Sequence, residues 1–465
     1  MGSKVLLWLM SGSLVVLACL LTRVSRYGPP HTNYDAAVYF DHAHLRTPSS
    51  KADIVRIVQS AAERGQKVRV VGSGHSWSSV AVSEDILLSL WNYTGVVGLD
   101  RDEMEVTVKA GTTLNQLNRY LNDRGLAMKN LGSISEQTVA GAISTGTHGN
   151  GMGFGNLATL VTGLEFVSGK GELVSARVGS NVNMFKAAQV SVGMLGVITE
   201  VTLSVEEIYL LREVLTRHTL DECLGQFDGI MRGGDHVKMW VELFSETCGV
   251  FAANRTSETR PRDNPNWTAK NIEVLVMEAI LLISSWFPPS VPHVMRLIFL
   301  PSSVFSPYDR VDTPPAVLEV PHSLPVHWEA ELALPFEGCP AAIRELRRIV
   351  IEHRIPANMP IEIRPVMGDD IWLSPNYGRL SCHVTLTLYN PSPRAAHDYF
   401  QKFYDATRTT LNLSPRPHWG KYVTNATRKD LSTMYPKLAD FEKIRSEMDP
   451  RNIFINGALR DNFGF

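Results

Sequence analysis

The sequence is short of the features that assign a class at sight. Neither sign of charge dominates: 45 Lys and Arg stand against 47 Asp and Glu, net −2, which argues against nucleic acid as the main partner. None of the five cysteines (Cys19, Cys223, Cys248, Cys339, Cys382) falls in a CxxC pair, so a zinc ribbon and a thioredoxin motif are excluded and no metal site is expected. Cys19 lies in an N-terminal apolar segment, which leaves at most two ordinary disulfides. There is no internal repeat, no low-complexity tract and no Walker lysine-serine pair. The dinucleotide fingerprint GxGxxG is missing too. In "VRVVGSGHSW" its third glycine would be Trp77, too bulky for the point where helix and strand touch, and "GNGMGFG" from Gly149 fails the same spacing. A nicotinamide-binding Rossmann domain is therefore not expected.

What is present suits a large folded chain. Of 465 residues, 44% are hydrophobic, enough for the core of two or three domains. Ser49 to Gly65 reads as a helix, with Ser50 and Asp53 as a capping box, Ile54, Ile57, Val58 and Ala61 on one face, and Gly65 as its stop. Lys67–Val71, Met104–Ala110, Leu160–Val167 and Val197–Val205 read as strands, and Leu114, Leu117 and Leu121 as a helical stripe closed by Gly125. Two apolar stretches stand apart. Val5 to Leu21 carries no charge and sits near the lower length limit for a membrane span. Lys4 precedes it and Arg23 and Arg26 follow. Signal peptide and signal anchor both fit. The lack of a clear small-x-small cleavage site favours an anchor over residues 1–26, although Val16–Cys19 has some look of a lipoprotein site. Sequons at Asn92, Asn254, Asn266 and Asn425 point towards a secretory lumen. The second stretch, 274–287 ("VLVMEAILLISSWF"), is a buried helix or a patch lying in a bilayer interface.

Three glycine-rich segments carry the chemistry. The turn Gly72, Ser73, Gly74, His75, Ser76 could offer backbone N–H groups to an anion. "LGSISEQTVAGAISTGTHGNG", Leu131 to Gly151, holds Gly132, Ser133, Gly141, Ser144, Thr145, Gly146, His148 and Gly149, whose small side chains let backbone approach a large flat ligand. "GMLGVITEV", with Gly196 and Ile198, enters a strand. A structural turn would explain any one of them; three together suggest a long ligand with a diphosphate. Glu362 and Arg364, two apart in a strand, face the same way and could form either a structural ion pair or an active-site pair. Ser381, His383, Thr385 and Thr387 share one strand face.

The order "VVGSGHSW", "GSISEQTVAGAISTGTHG", "LGVITEV" resembles the flavin domain of the vanillyl-alcohol-oxidase superfamily. With "IEIRPVMGDDIWLSPNYGRLSC", "RPHWGKY" and "TRKDLSTMYPKLADFEKIRSEMDPRNIF", the chain after residue 35 resembles the sugar-1,4-lactone oxidases, which oxidise L-gulono- or D-arabinono-1,4-lactone. The resemblance implies FAD bonded through His75. It implies a single covalent link, because residues 131–151 contain no cysteine. It casts Gly132 as space beside the flavin ring that admits O2, and His148 as a residue shaping the loop around the flavin. Glu362 would serve the substrate hydroxyl, and Arg364 and Lys421 the substrate oxygens or the reduced flavin. The family's usual second histidine after the "HW-K" motif is replaced by Val423.

The expected fold is α+β: a two-subdomain PCMH-type FAD-binding domain over 38–207, an α+β substrate cap over 208–410, and a C-terminal segment, 411–465, packing back at the flavin site. The expected activity is oxidation of the lactone C2 hydroxyl, with O2 giving H2O2 and ascorbate or an analogue. The expected location is a membrane of the endoplasmic reticulum or another secretory compartment. An alditol or carbohydrate oxidase on the same fold is the nearest alternative, and a catalytically idle membrane flavoprotein the more distant one.

Overall fold

The computed structural model describes residues 32–33, 44–259, 280–298, 307–319, 327–389, 392–423 and 426–464. The expected anchor, 1–26, and the first part of the apolar stretch, 274–279, lie outside the described residues.

Three larger sheets, and a two-stranded pair of Leu126–Ala127 with Glu206–Glu207, organise the described residues. A small parallel sheet orders Leu45–Arg46, Ile86–Ser89 and Val68–Val71. The helix Lys51–Arg64 packs against the strand Val161–Ser168, and Lys51 pairs with Glu165 and Glu200. Ser50 accepts the Asp53 N–H at its start, Gly65 takes φ +67° at its end, and Ile54, Val58, Ala61 and Ala62 are buried between. A five-stranded antiparallel sheet follows in the order Val96–Asp100, Glu105–Lys109, Gly196–Ser204, Val161–Ser168, Leu173–Arg177. The helix Leu114–Asn122 carries a Thr113–Gln116 capping box and buries Leu114, Leu117 and Leu121.

The third sheet has eight antiparallel strands in the order Tyr308–Asp312, Leu210–Thr219, Thr247–Thr256, His236–Glu242, Ile361–Val366, Ser381–Leu388, Trp328–Pro335, Arg416–Pro417. Its central strands are covered on both faces; Ser381–Leu388 is buried at every position. Helices Cys339–Glu352 and Pro393–Asp405 lie against each other, and the second packs on Trp328–Pro335. Cys382, Val384, Leu386 and Leu388 alternate with the polar residues of the same strand. Disulfides Cys223–Cys248 and Cys339–Cys382 use the four cysteines outside the N-terminal segment. The second ties a helix to the strand that carries His383.

The last 50 residues return to the first sheet. Val68 N–H donates to the Ile453 carbonyl at 2.8 Å, and Trp77 N–H to that of Gly420 at 2.8 Å. Buried Arg69 donates to the carbonyls of Val80, Val192, Gly193 and Phe454, sewing three segments together under the glycine turn. Four backbone carbonyls thus substitute for the water that the guanidinium would lose.

Candidate active site

The strand Val68–Val71 ends in the glycine turn, and the turn forms one wall of a cleft enclosing about 1050 Å³, open solvent at its mouth included. Gly72, Ser73, Gly74, His75, Ser76, Gly141, Ser144, Thr145, Gly196, Ile198 and Lys421 all line it. Gly74 sits at φ +74°, in the left-handed region that lets successive N–H groups converge. The N–H groups of Ser73, Gly74 and Ser76 bond no acceptor among the described residues. A Cβ on Gly72 would stand 2.4 Å from Thr138 Oγ1, so the Gly72 backbone lies directly against the Thr138 side chain. Spare amides and a left-handed glycine at the mouth of a cleft fit the diphosphate of a dinucleotide.

The other glycine-segment residues do different work. Gly146, at φ +76°, caps the helix Val139–Thr145. Gly149 packs so closely on Asn130 and Leu131 that a Cβ would come within 2.3 Å of both. A Cβ at Gly132 would meet Thr147 Cγ2 at 2.9 Å. Ser133 Oγ accepts from Arg364 Nη1 at 3.1 Å. His148 is buried against the eight-stranded sheet, bonded to Glu331.

The polar face of that sheet adjoins the glycine-rich segment through the Arg364–Ser133 bond, and its carboxylates and Arg364 lie outside the residues that line the cleft itself. Register sets Trp240, Glu362, Thr385 and Glu331 side by side across four strands. Trp240 Nε1 donates to Glu362 at 3.0 Å, Lys238 Nζ lies 3.6 Å from the same carboxylate, and Arg364 Nε 3.4 Å from it. Burial pushes the Glu362 carboxyl up, but Arg364, Lys238 and the indole N–H outweigh it and keep it below its ordinary value. Arg364 also reaches Glu331 Oε2 at 3.3 Å. The Thr385 hydroxyl is buried with no hydrogen-bond partner among the described residues. An orphan of this kind on a charged face marks where a polar ligand would dock.

Lys421 joins the glycine turn to the sheet face. Its ammonium lies 4.0 Å from the Trp77 ring centre and 2.5 Å from Glu329 Oε1. Burial raises the Glu329 carboxyl, yet Lys421 and His327 hold it down at about 2. Sequence reading missed Glu329, Glu331, Lys238 and Trp240. A signal existed: in "VHWEAELALP" two carboxylates stand two apart inside an apolar strand, so both must share its polar face. Lys238 and Trp240 repeat that spacing in "HVKMWVE".

The class of protein is set by this arrangement: a flavoprotein of mixed helix and sheet with a PCMH-type FAD-binding fold. Residues 43–177 match the FAD binding domain family. Known structures agree on the fold: cholesterol oxidase from Brevibacterium sterolicum superposes with a TM-score of 0.74 over 93% of this chain and 96% of that one, at 16% identity. A solvent-stable cholesterol oxidase gives 0.76 over 93% and 97%, at 18% identity. Residues 201–462 match the family described as D-arabinono-1,4-lactone oxidase, and the chain belongs to that family. It is 31% identical to mouse L-gulonolactone oxidase over 90% of this chain and 94% of that protein. It is 30% identical to L-gulono-1,4-lactone dehydrogenase of Mycobacterium tuberculosis over 90% and 95%. It is 28% identical to D-arabinono-1,4-lactone oxidase of Eremothecium gossypii over 88% and 90%.

Proposed function

We propose that the chain is an FAD-dependent oxidoreductase that oxidises the C2 hydroxyl of an aldono-1,4-lactone. Arg364 carries the reading: one guanidinium touches Ser133 of the glycine-rich segment and both Glu362 and Glu331 of the sheet, so one cation bridges the two. FAD supplies the two-electron acceptor. Glu362, an ionised carboxylate, holds the C2 hydroxyl and takes its proton. Arg364 and Lys421 orient the ring oxygens and offer positive charge where negative charge grows. Thr385 gives a neutral hydrogen bond, and the covered strands keep water off. The alcohol loses one hydride and one proton and becomes the 2-keto lactone, which tautomerises to an enediol. With O2 as acceptor, the same two electrons and two protons leave as H2O2.

Within this reading His75 bonds the flavin covalently. Its place in the cleft wall supports the assignment, as does the absence of cysteine from 131–151. Acid-precipitated chain should stay yellow, and His75→Ala should release the colour. A dehydrogenase is the second reading for the acceptor, because one relative at 30% identity is named L-gulono-1,4-lactone dehydrogenase. Peroxide formation with L-gulono- or D-arabinono-1,4-lactone tests the oxidase. Reduction of an artificial dye without peroxide selects the dehydrogenase.

We also propose that the chain is bound to a secretory-pathway membrane. The uncharged run Val5 to Leu21 supports this. So does the helical stretch 280–286, where Ile283 and Trp286 are 51% and 63% exposed, with Phe287, 65% exposed, and Pro288 following directly. The two disulfides suit an oxidising lumen. Flotation with phospholipid vesicles tests it; a chain that stays at the bottom of the gradient, Val5–Leu21 included, refutes it.

A further inference from the structure

Behind Arg364 three buried side chains converge: His148 from the glycine-rich segment, Glu331 from Trp328–Pro335 and His383 from Ser381–Leu388, none more than 2% exposed. Glu331 Oε1 touches His148 Nε2 and lies 2.9 Å from His383 Nδ1. The remaining ring nitrogens also meet oxygens: His148 Nδ1 lies 2.8 Å from the Gly149 carbonyl, and His383 Nε2 2.7 Å from Asn376 Oδ1.

A neutral imidazole has one N–H and one lone pair, so it cannot serve two acceptors. His383 has a way out. Asn376 Nδ2 is buried with no partner among the described residues. Exchanging that amide's oxygen and nitrogen lets it donate to His383 Nε2, while Nδ1–H donates to Glu331. His148 has none, because a carbonyl and a carboxylate only accept. Burial drains the proton from His148, and Arg364 and His418 push the same way. The Glu331 carboxylate alone opposes them, and on electrostatics the balance holds the ring below its ordinary value; the two-acceptor geometry, which a neutral ring cannot satisfy, is the ground for assigning the proton to His148.

A divalent ion is the rival cation, since the three ligand atoms lie within 4.8 Å of one another. Its ligands would stand about 3.3 Å apart at Zn-type bond lengths near 2 Å. His148 and Glu331 are already in direct hydrogen-bond contact, and Arg364 takes the other carboxylate oxygen. A proton fits that gap.

We propose that His148 is a buried imidazolium clamped between the Gly149 carbonyl and Glu331, and that this pair positions Arg364. It ties the flavin-side segment to the substrate-side sheet and fixes the carboxylate on which the guanidinium rests. The groups facing the pair are Arg364, His383 and His418, with Lys421 beyond His418 and Glu362 beyond Arg364. Only the positioning role rests on the proposed lactone oxidation; the protonation state stands apart from it.

The test uses the full, flavin-loaded chain labelled with 15N-histidine, its ring nitrogens followed by NMR from about pH 6 to about pH 9, across the range where an exposed histidine loses its proton. One histidine should keep both nitrogens protonated near the upper end. His148→Gln should delete that signal, and Glu331→Gln should turn it into a neutral ring. A neutral His148 at pH 7 in the unaltered protein overturns the proposal, and so does one equivalent of metal surviving dialysis against chelator. The unaltered protein decides the protonation state, whether or not a variant folds. For the positioning role, Glu331→Gln should raise the lactone KM by on the order of tenfold at unchanged flavin content, with Glu331→Asp recovering part of it. An unchanged KM in Glu331→Gln overturns that role. A chain that turns over no lactone but keeps the imidazolium signal refutes the function and leaves the protonation intact.

Discussion

The two walls of the site are made in opposite ways. The glycine turn after Val68–Val71 offers mostly main chain: spare amides, a left-handed Gly74, and side chains small enough for close approach. The sheet face offers only side chains, brought together from Trp240, Glu362, Thr385 and Glu331 by strand register over a span of more than 140 residues. A main-chain site needs a few neighbouring residues of the right conformation, and it binds a group common to many nucleotides. A side-chain site needs long-range order, and it can be tuned to one substrate. The proposed function assigns cofactor binding to the first wall and chemistry to the second, in line with this division.

The largest effect should come from the second wall. Arg364→Ala should lower kcat/KM by on the order of 10³-fold or more, because it removes the charge facing the developing anion and leaves Glu331 and Glu362 without their shared cation. Flavin content, read from the visible spectrum, should persist. If colour and turnover vanish together, the walls are not separable as claimed. Glu362→Gln should lower kcat by about 10²- to 10⁴-fold, the usual range for a lost proton acceptor.

The first wall should break differently. Gly72→Ala drives a Cβ to 2.4 Å from Thr138 Oγ1, and Thr138 also caps the helix Val139–Thr145. The cost should be about 1–3 kcal/mol of stability together with loss of bound flavin, followed by thermal unfolding and absorbance. Unaltered flavin occupancy would mean the turn is scaffold and not cradle.

A smaller, pH-dependent effect sharpens the contact between the walls. Glu329 is depressed to about 2 in the fold, against 4.5 for an ordinary glutamate. A depressed carboxyl contributes stability that is fully present above the unfolded value and is lost as pH falls through the folded value. Melting temperature should therefore drop between about pH 5 and pH 2, and less steeply in Glu329→Gln. An identical slope in the variant would show that Lys421 and Glu329 do not bridge the walls in solution.

The same contrast explains what could be read from sequence. Helix Lys51–Arg64, the strands at 105–109, 161–168 and 196–204, and the helix Leu114–Asn122 were visible from periodicity and caps, because each is a local pattern. The glycine turn was visible for the same reason. Glu362 and Arg364 share a face as their spacing requires, and the spacing left open whether they were an ion pair or a site; in the structure they contact each other and Glu331 as well. The partners Glu331, Lys238 and Trp240 were not anticipated, since strand order and register are not written in any one segment. His148 looked like a loop residue beside glycines, and its bond to a strand 183 positions away could come only from the fold.

Anaerobic mixing of the flavin-loaded chain with an aldono-1,4-lactone tests the central claim most directly. The account predicts that L-gulono- or D-arabinono-1,4-lactone bleaches the yellow chromophore in a single turnover, and that Arg364→Ala, equally yellow, does not bleach on the same timescale. A chromophore that dithionite reduces and no aldono-lactone touches would contradict it.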